Sequence, residues 1–428
     1  MLTIESLYES LAATAEDDIP GSTAMVTRAE QMARSQEAAS ADTTNEQLRE
    51  MFARIEGVST IAVVENGRPI GLVNRHVFME QYAKPYARDL YGRKSCIAFM
   101  DKSPLIVPVS TPVEVLVKAA VDSGGKVLDD GFITTLNGEY HGVGTGFGLV
   151  KAMSEIEAEK TRQLMASINY ASLIQRSHLV ESDQVLRHDI GDYGLIWKPR
   201  DVVGGDAYFF RKVADGVFGC VFDCTGHGVP GAFMTLIVLS FLEQMVLPEA
   251  SDIDPGAILG QMNVYIKRVL RQEDRSSSDV ASGEKISNDG LDAAAFVLAP
   301  DHSGLRFASA KLSLLVAREG SAEIEVVDAD KHGIGYADTP LATQWTTRQV
   351  ELGSQCMVVI PTDGVIDQIG GSKAIAHGRR RLVQFMTEHR SLDAGKLVSA
   401  FEDSFSQWQD SQKRRDDVTM LAFGTRRC

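Results

Sequence analysis

Long apolar runs are missing from this 428-residue chain. None reaches the ~18–20 residues needed to cross a bilayer. The nearest, 232–242, is followed by Glu243 and reads as a buried helix, so no membrane insertion is expected. The N-terminus lacks a basic segment leading into an apolar core, and no signal peptide is read there. Cysteine is sparse: Cys96, Cys220, Cys224, Cys356 and Cys428 are scattered and without C-x-x-C spacing. That pattern argues against a zinc site and makes a reducing cytoplasm the expected setting. Positive charge is also in deficit. A net charge of −15 argues against nucleic acid as a partner and against docking on an anionic membrane leaflet.

What is present suits a soluble globular protein of two or three domains, with apolar residues at 44% and charged ones at 24%. Residues 1–50 are rich in Ala, Glu, Gln and Ser, broken at Pro20-Gly21, and read as a helical arm. Residues 51–150 contain an internal repeat. Ile61-Ala62-Val63-Val64 leads into Asn66-Gly67 and then Gly71, while Phe132-Ile133-Thr134-Thr135 leads into Asn137-Gly138 and then Gly142. Each copy reads as strand, tight turn, strand and helix, because Asn-Gly supplies the positive φ that a short hairpin requires. Residues 151–187 form a long helical pattern without Gly or Pro, with Leu164, Ile168, Ala171 and Ile174 at helical spacing. It reads either as a linker packed on its own domain or as a dimerising helix between a sensor and an output domain. From 188 to 428, short β-rich runs alternate with helical blocks, which predicts an α+β domain. The segment 271–290 is almost wholly polar and reads as a surface insertion.

Four aspartates in this last region accompany strand-like runs and tight turns. Asp206 follows Gly204-Gly205, Asp223 precedes Cys224-Thr225-Gly226-His227-Gly228, Asp363 precedes Gly364, and Asp416 follows Arg414-Arg415. Flanking glycines let backbone approach an ion closely. Converged carboxylates repel one another, and oxygen-only ligands suit Mg²⁺ or Mn²⁺. Against this stands the commonplace role of Asp as a turn residue, and spacing alone does not bring the four together.

The ordered set Lys198 to Asp206, Asp223 to Gly231, Leu291-Asp292-Ala293-Ala294, Gly333 to Tyr336, Thr362-Asp363-Gly364 and Arg415 to Thr419 resembles the SpoIIE/RsbU-type branch of the metal-dependent (PPM, type 2C) protein phosphatases. The likeness runs over roughly 165–428, and Ile168 to Gln175 is similar to that branch's regulatory helix. It implies a sandwich of two antiparallel sheets flanked by helices. Asp206 and Asp223 would hold two Mn²⁺ or Mg²⁺ ions and a bridging hydroxide that attacks the phosphate. The Cys224 carbonyl would complete one shell, Asp363 and Asp416 would bind the second ion, and Asp417 would support them. The implied activity is protein serine/threonine phosphatase, with a phosphorylated STAS-type anti-sigma-factor antagonist as substrate in a partner-switching pathway, and a homodimer as the expected assembly. The 51–150 repeat resembles a pair of CBS modules, although Asn74 and Val77 in one copy and Gly148 in the other depart from the nucleotide-binding pattern. A non-catalytic phosphoprotein scaffold is the alternative. A nucleotide-cyclase reading of Gly204-Gly205-Asp206 fails because Ala207-Tyr208 follow.

Overall fold

The computed structural model describes residues 27–272, 288–321, 323–353 and 355–425; most of the arm before residue 27, most of the polar segment 271–290 and Cys428 lie outside the described residues. The chain divides into two compact units, Met1–Leu164 and Met165–Cys428.

The repeat in the first unit is carried by hydrogen-bond register as well as by sequence. After a short strand β1 (Ala33–Arg34), one half runs β2 (Ala39–Ser40), a helix Asn45–Arg54, the hairpin β3 (Thr60–Glu65) and β4 (Arg68–Asn74), and a helix Arg75–Tyr82. The other half runs β5 (Ile106–Pro108), a helix Val113–Asp122, the hairpin β6 (Phe132–Leu136) and β7 (Glu139–Gly144), and a helix Gly146–Val185. β2 lies parallel to β3 and β5 parallel to β6, and both hairpins shift register at matching places, Val63/Val64 and Thr134/Thr135. Asn66 and Asn137 turn the hairpins at φ of 50° and 52°, each followed by a left-handed glycine. Ala62 and Leu72 of one half pack with Ile133 and Val143 of the other, so each hairpin covers the apolar face its counterpart exposes. Of the expected helical arm 1–50, the described part holds a 3₁₀ turn, Ala29–Met32, two short strands and the start of the helix Asn45–Arg54.

The helix Gly146–Val185 begins in the core of the first unit with Leu149, Ala152 and Ile156. It ends in the core of the second with Leu179 and Val185. Leu164, Tyr170 and Leu173 between them are exposed.

The second unit is a two-sheet α+β sandwich. One sheet has the order β15 (Arg348–Glu351), β12 (Gly304–Ala310), β11 (Leu291–Leu298), β10 (Gly216–Cys224) and β9 (Asp206–Val213). The other has the order β14 (Ile324–Val327), β13 (Leu314–Arg318), β16 (Cys356–Pro361), β19 (Val418–Gly424) and β8 (Tyr193–Lys198). A small ribbon, β17 (Ile369–Gly370) and β18 (Ile375–Ala376), lies apart from both. Every pairing within the two large sheets is antiparallel. Helices Gly228–Met245 and Pro255–Val269 cover the first sheet, and Gly378–Glu388 and Ala394–Gln409 cover the second. The central strands are therefore buried on both faces and read as continuous apolar runs, whereas β12 and β15 are interrupted by Arg306, Ser309, Arg348 and Gln349. Gly228–Met245 is long and apolar enough to cross a membrane by length and composition, and half of it is buried inside the fold.

Phe296 of β11 stacks on Phe423 of β19 at 5.4 Å and joins the two sheets. Phe296→Ala is expected to cost about 3–5 kcal/mol, because it removes a fully buried ring that both sheets pack against. Urea unfolding of the two proteins measures the difference.

Candidate active site

Strand register brings three carboxylates into one row. Asp223 of β10 is paired with Asp206 of β9 on one side and with Asp292 of β11 on the other. Directly opposed residues share a face of the sheet, so all three side chains point the same way, an arrangement that repulsion makes costly. Asp206 opens its strand after the Gly204-Gly205 loop and is nearly inaccessible. Its Oδ2 accepts from Thr362 Oγ1 at 2.8 Å, which links the first sheet to the end of β16 in the second. Its Oδ1 is buried with no hydrogen-bond partner.

Asp363 follows Thr362 and begins a short helix, Asp363–Asp367. Its carboxyl and that of Asp223 are close enough to share a hydrogen bond, and Asp416 adds its charge to both. Burial, opposed by the nearby hydroxyls of Thr419 and Thr362 and joined by the charge of Asp417, pushes Asp206 up to about 7. Burial first, and then the charges of Asp206 and Asp363, push Asp223 well above the ordinary carboxylate range. Asp363 is exposed at the rim, yet the packing around its carboxyl and the charge of Asp416 raise it as well.

The loop before Asp206 is tied down on several sides. Asp417 accepts from the Arg200 N–H through Oδ1 and from the Gly205 N–H through Oδ2, both at 2.6 Å. Gln175, reaching in from the helix Gly146–Val185, donates to the Gly204 carbonyl at 2.8 Å. Thr235 Oγ1 lies 3.1 Å from the Gly204 carbonyl and 3.0 Å from that of Gly205. A Cβ on Gly205 would stand 2.6 Å from the carbonyl oxygens of Cys224 and Gly226, so only glycine admits this approach. His227 Nδ1 lies 2.8 Å from Asp201 Oδ2 and clips the same loop to the turn after Asp223.

The five expected site residues thus lie near one another: Asp206 and Asp223 opposed on β9 and β10, Asp363 and Asp416 with their charges bearing on Asp223, and Cys224 with its carbonyl against Gly205. Lys198 and Arg200, considered as phosphate-binding cations, are engaged elsewhere, Lys198 with Glu402 and Arg200 with the Arg415 carbonyl at 3.0 Å. Burial pushes the Cys224 thiol pKa up, which marks it as inert rather than reactive. Sequence reading overlooked Asp292, Thr362, Gln175 and Thr235 as site residues. Asp292, Thr362 and Gln175 lie in segments that carry the family resemblance, and Asp292 also adjoins a continuous apolar run as Asp223 does; Thr235 carried no signal.

Crowded carboxylates and an orphaned buried oxygen on Asp206 suit a divalent cation. Among the described residues no three His, Cys, Asp or Glu side chains form a ready cage for one ion, so backbone carbonyls and water would complete any shell.

Metal-free protein should lose stability as pH rises from about 4 through about 7. The folded-state pKa of Asp206 lies above its unfolded value, so the folded state holds the extra proton only at low pH. Asp206→Asn, which keeps an acceptor for Thr362, is therefore expected to melt ~2–4 °C above wild type in EDTA at pH 8. The gap should close toward pH 5, as a calorimetric pH series reads directly.

A family model described as Stage II sporulation protein E (SpoIIE) matches residues 214–426. The SiaA-PP2C domain of Pseudomonas aeruginosa is similar at 31% identity and a TM-score of 0.52, over 62% of this chain and 98% of that one. The PP2C domain and regulatory fragment of Bacillus subtilis SpoIIE matches at 14% identity and TM-score 0.41, over 55% of this chain and 64% of that one. The RsbU and RsbW domains of a Mycobacterium tuberculosis protein match at 17% identity and TM-score 0.42, over 55% and 60%. No curated protein matches the chain. With the carboxylate row, its Gly-Gly loop and the two-sheet sandwich in place, the chain belongs to the SpoIIE family of PP2C-type protein serine/threonine phosphatases.

Proposed function

We propose that this phosphatase removes phosphate from serine or threonine of a regulatory protein, an anti-sigma-factor antagonist of the STAS type, in a partner-switching pathway. Two Mn²⁺ or Mg²⁺ ions would be held by Asp206, Asp223, Asp363 and Asp416 with the Cys224 carbonyl. Such a pair lowers the pKa of water and neutralises phosphoryl charge. The observation that carries this reading is the opposed Asp206–Asp223 pair with its unsatisfied buried oxygen.

The chain's own residues set the geometry. Thr362 orients the Asp206 carboxylate from the opposite sheet. Asp417 fixes the Gly204-Gly205 backbone, so Asp206 enters its strand at a constant position. The Thr225 hydroxyl donates to the Gly290 carbonyl at 3.0 Å and holds the turn that follows Asp223. Preorganisation of this kind leaves little to rearrange during reaction.

The exposed apolar positions Leu164, Tyr170 and Leu173 support a homodimer formed along the helix Gly146–Val185. In that arrangement the repeat before Leu149 acts as a sensor whose state reaches the catalytic unit through this helix. The helix offers a physical route, since it contributes both to the core of the repeat and, through Gln175, to the Gly204 loop.

Asp223→Asn is expected to lower Mn²⁺-dependent hydrolysis of p-nitrophenyl phosphate by about 100-fold or more. EDTA should abolish the wild-type rate and Mn²⁺ restore it. Metal-independent turnover, or an Asp223→Asn protein as fast as wild type, would remove the assignment of these ligands. A folded protein that binds phosphoprotein without metal-dependent turnover would instead fit the scaffold alternative.

A further inference from the structure

A cavity of about 150 Å³, room for a single side chain, opens beside the rim carboxylate Asp363. Its walls carry the carboxylates Asp292 and Asp367 as well as Lys311, Ser313, Ile366 and Arg379. Two cations, Lys311 and Arg379, thus stand among three carboxylates, one of which, Asp292, is already paired with Lys311.

Their local settings are unusual. Lys311 occupies the turn between β12 and β13 at φ 64°, a conformation uncommon for a residue with a Cβ. The turn is held there by the Lys311 N–H, which donates to the Asp330 carbonyl at 3.0 Å. Its Nζ lies 3.0 Å from Asp292 Oδ1 and 4.3 Å from the Tyr336 ring centroid. The contact with Asp292 is close enough for an ion pair but is not aligned as a hydrogen bond, since Asp292 Oδ1 has no hydrogen-bond partner. Arg379 is exposed and donates to Ser313 Oγ at 3.0 Å; among the described residues its guanidinium pairs with no carboxylate. Arg379, Arg380 and Arg381 open the helix Gly378–Glu388, where positive charge opposes the helix dipole, so helix stability does not account for them. Arg381 is occupied otherwise, stacked on Trp408 at 4.1 Å and bonded to the His377 carbonyl at 2.8 Å. That leaves Arg379 as a guanidinium with donors to spare at the cavity wall.

From this juxtaposition we infer that the cavity is a specificity subsite for an acidic side chain next to the phosphorylated residue of the protein substrate, bound by Arg379 and Lys311. The inference rests on the phosphatase reading above and deepens it. The phosphoryl group belongs over Asp206, Asp223 and Asp363, and the cavity lies to one side of Asp363. Within it, a carboxylate would exchange water for charge-assisted bonds to a planar guanidinium.

The test uses the full-length protein with Mn²⁺ and p-nitrophenyl phosphate as reporter. Phosphoserine peptides carrying Glu or Gln on both sides of the phosphoserine serve as competitors. Wild type is expected to bind the Glu peptide about tenfold more tightly, as its inhibition constant reports. In Arg379→Ala this ratio should fall close to one, Arg379→Lys should retain part of it, and Arg379→Glu should turn the preference toward a peptide flanked by Lys. No preference in wild type, no competition at all, or a preference that survives in Arg379→Ala overturns the subsite. Absence of Mn²⁺-dependent reporter turnover in wild type would instead overturn the phosphatase assignment beneath it.

Discussion

Asp206, Asp223 and Asp292 face the same way on adjacent antiparallel strands, and the interior around them excludes most of the water that would screen their charge. Such a row raises the free energy of the folded chain unless protons or cations stand among the carboxylates. The surrounding packing explains why the row persists. Strands β9, β10 and β11 are buried on both faces, and the rings of Phe210, Phe296 and Phe423 lock the two sheets behind the site. The sandwich core thus holds together charges that would otherwise separate. Each carboxylate is also treated differently: Thr362 orients Asp206, the charges of Asp206 and Asp363 bear on Asp223, and Lys311 pairs with Asp292.

The second consequence is rigidity in a segment that has no regular structure. Residues between β8 and β9 cross the mouth of the site as a loop, which in isolation would be mobile. Here the Asp417 carboxylate takes two backbone N–H groups, and Gln175 and Thr235 take carbonyls from the other side. A loop held this way behaves as part of the scaffold, and function requires that of anything that positions a ligand to within a fraction of an ångström. Gln175 belongs to the helix Gly146–Val185, so the same contact joins the active-site loop to the element that leaves the repeat.

Much of this is legible in the amino-acid sequence. The apolar runs locate the central strands because those strands are buried on both faces. Asn66-Gly67 and Asn137-Gly138 announce two hairpins because few other dipeptides tolerate their backbone angles. The four aspartates were legible as candidates through the glycines and turns around them. Less was legible where packing overrides pattern. β12 carries Arg306 in its interior, β15 begins and ends on a charge, and residues 27–44 form short strands despite a helix-rich composition.

Sequence by itself determined which residues are candidates for the chemistry: carboxylates beside glycines and turns, next to strands whose apolar content forces burial. Tertiary structure alone decided how they meet. Register set Asp292 in line with Asp223 although 69 positions separate them in the chain numbering. The bond from Thr362 to Asp206 joins two sheets, and the contacts of Gln175 and Asp417 converge on one loop from distant parts of the chain. Periodicity and composition report on neighbours along the chain. Contacts made across sheets depend on how whole elements stack, and no local pattern carries that information.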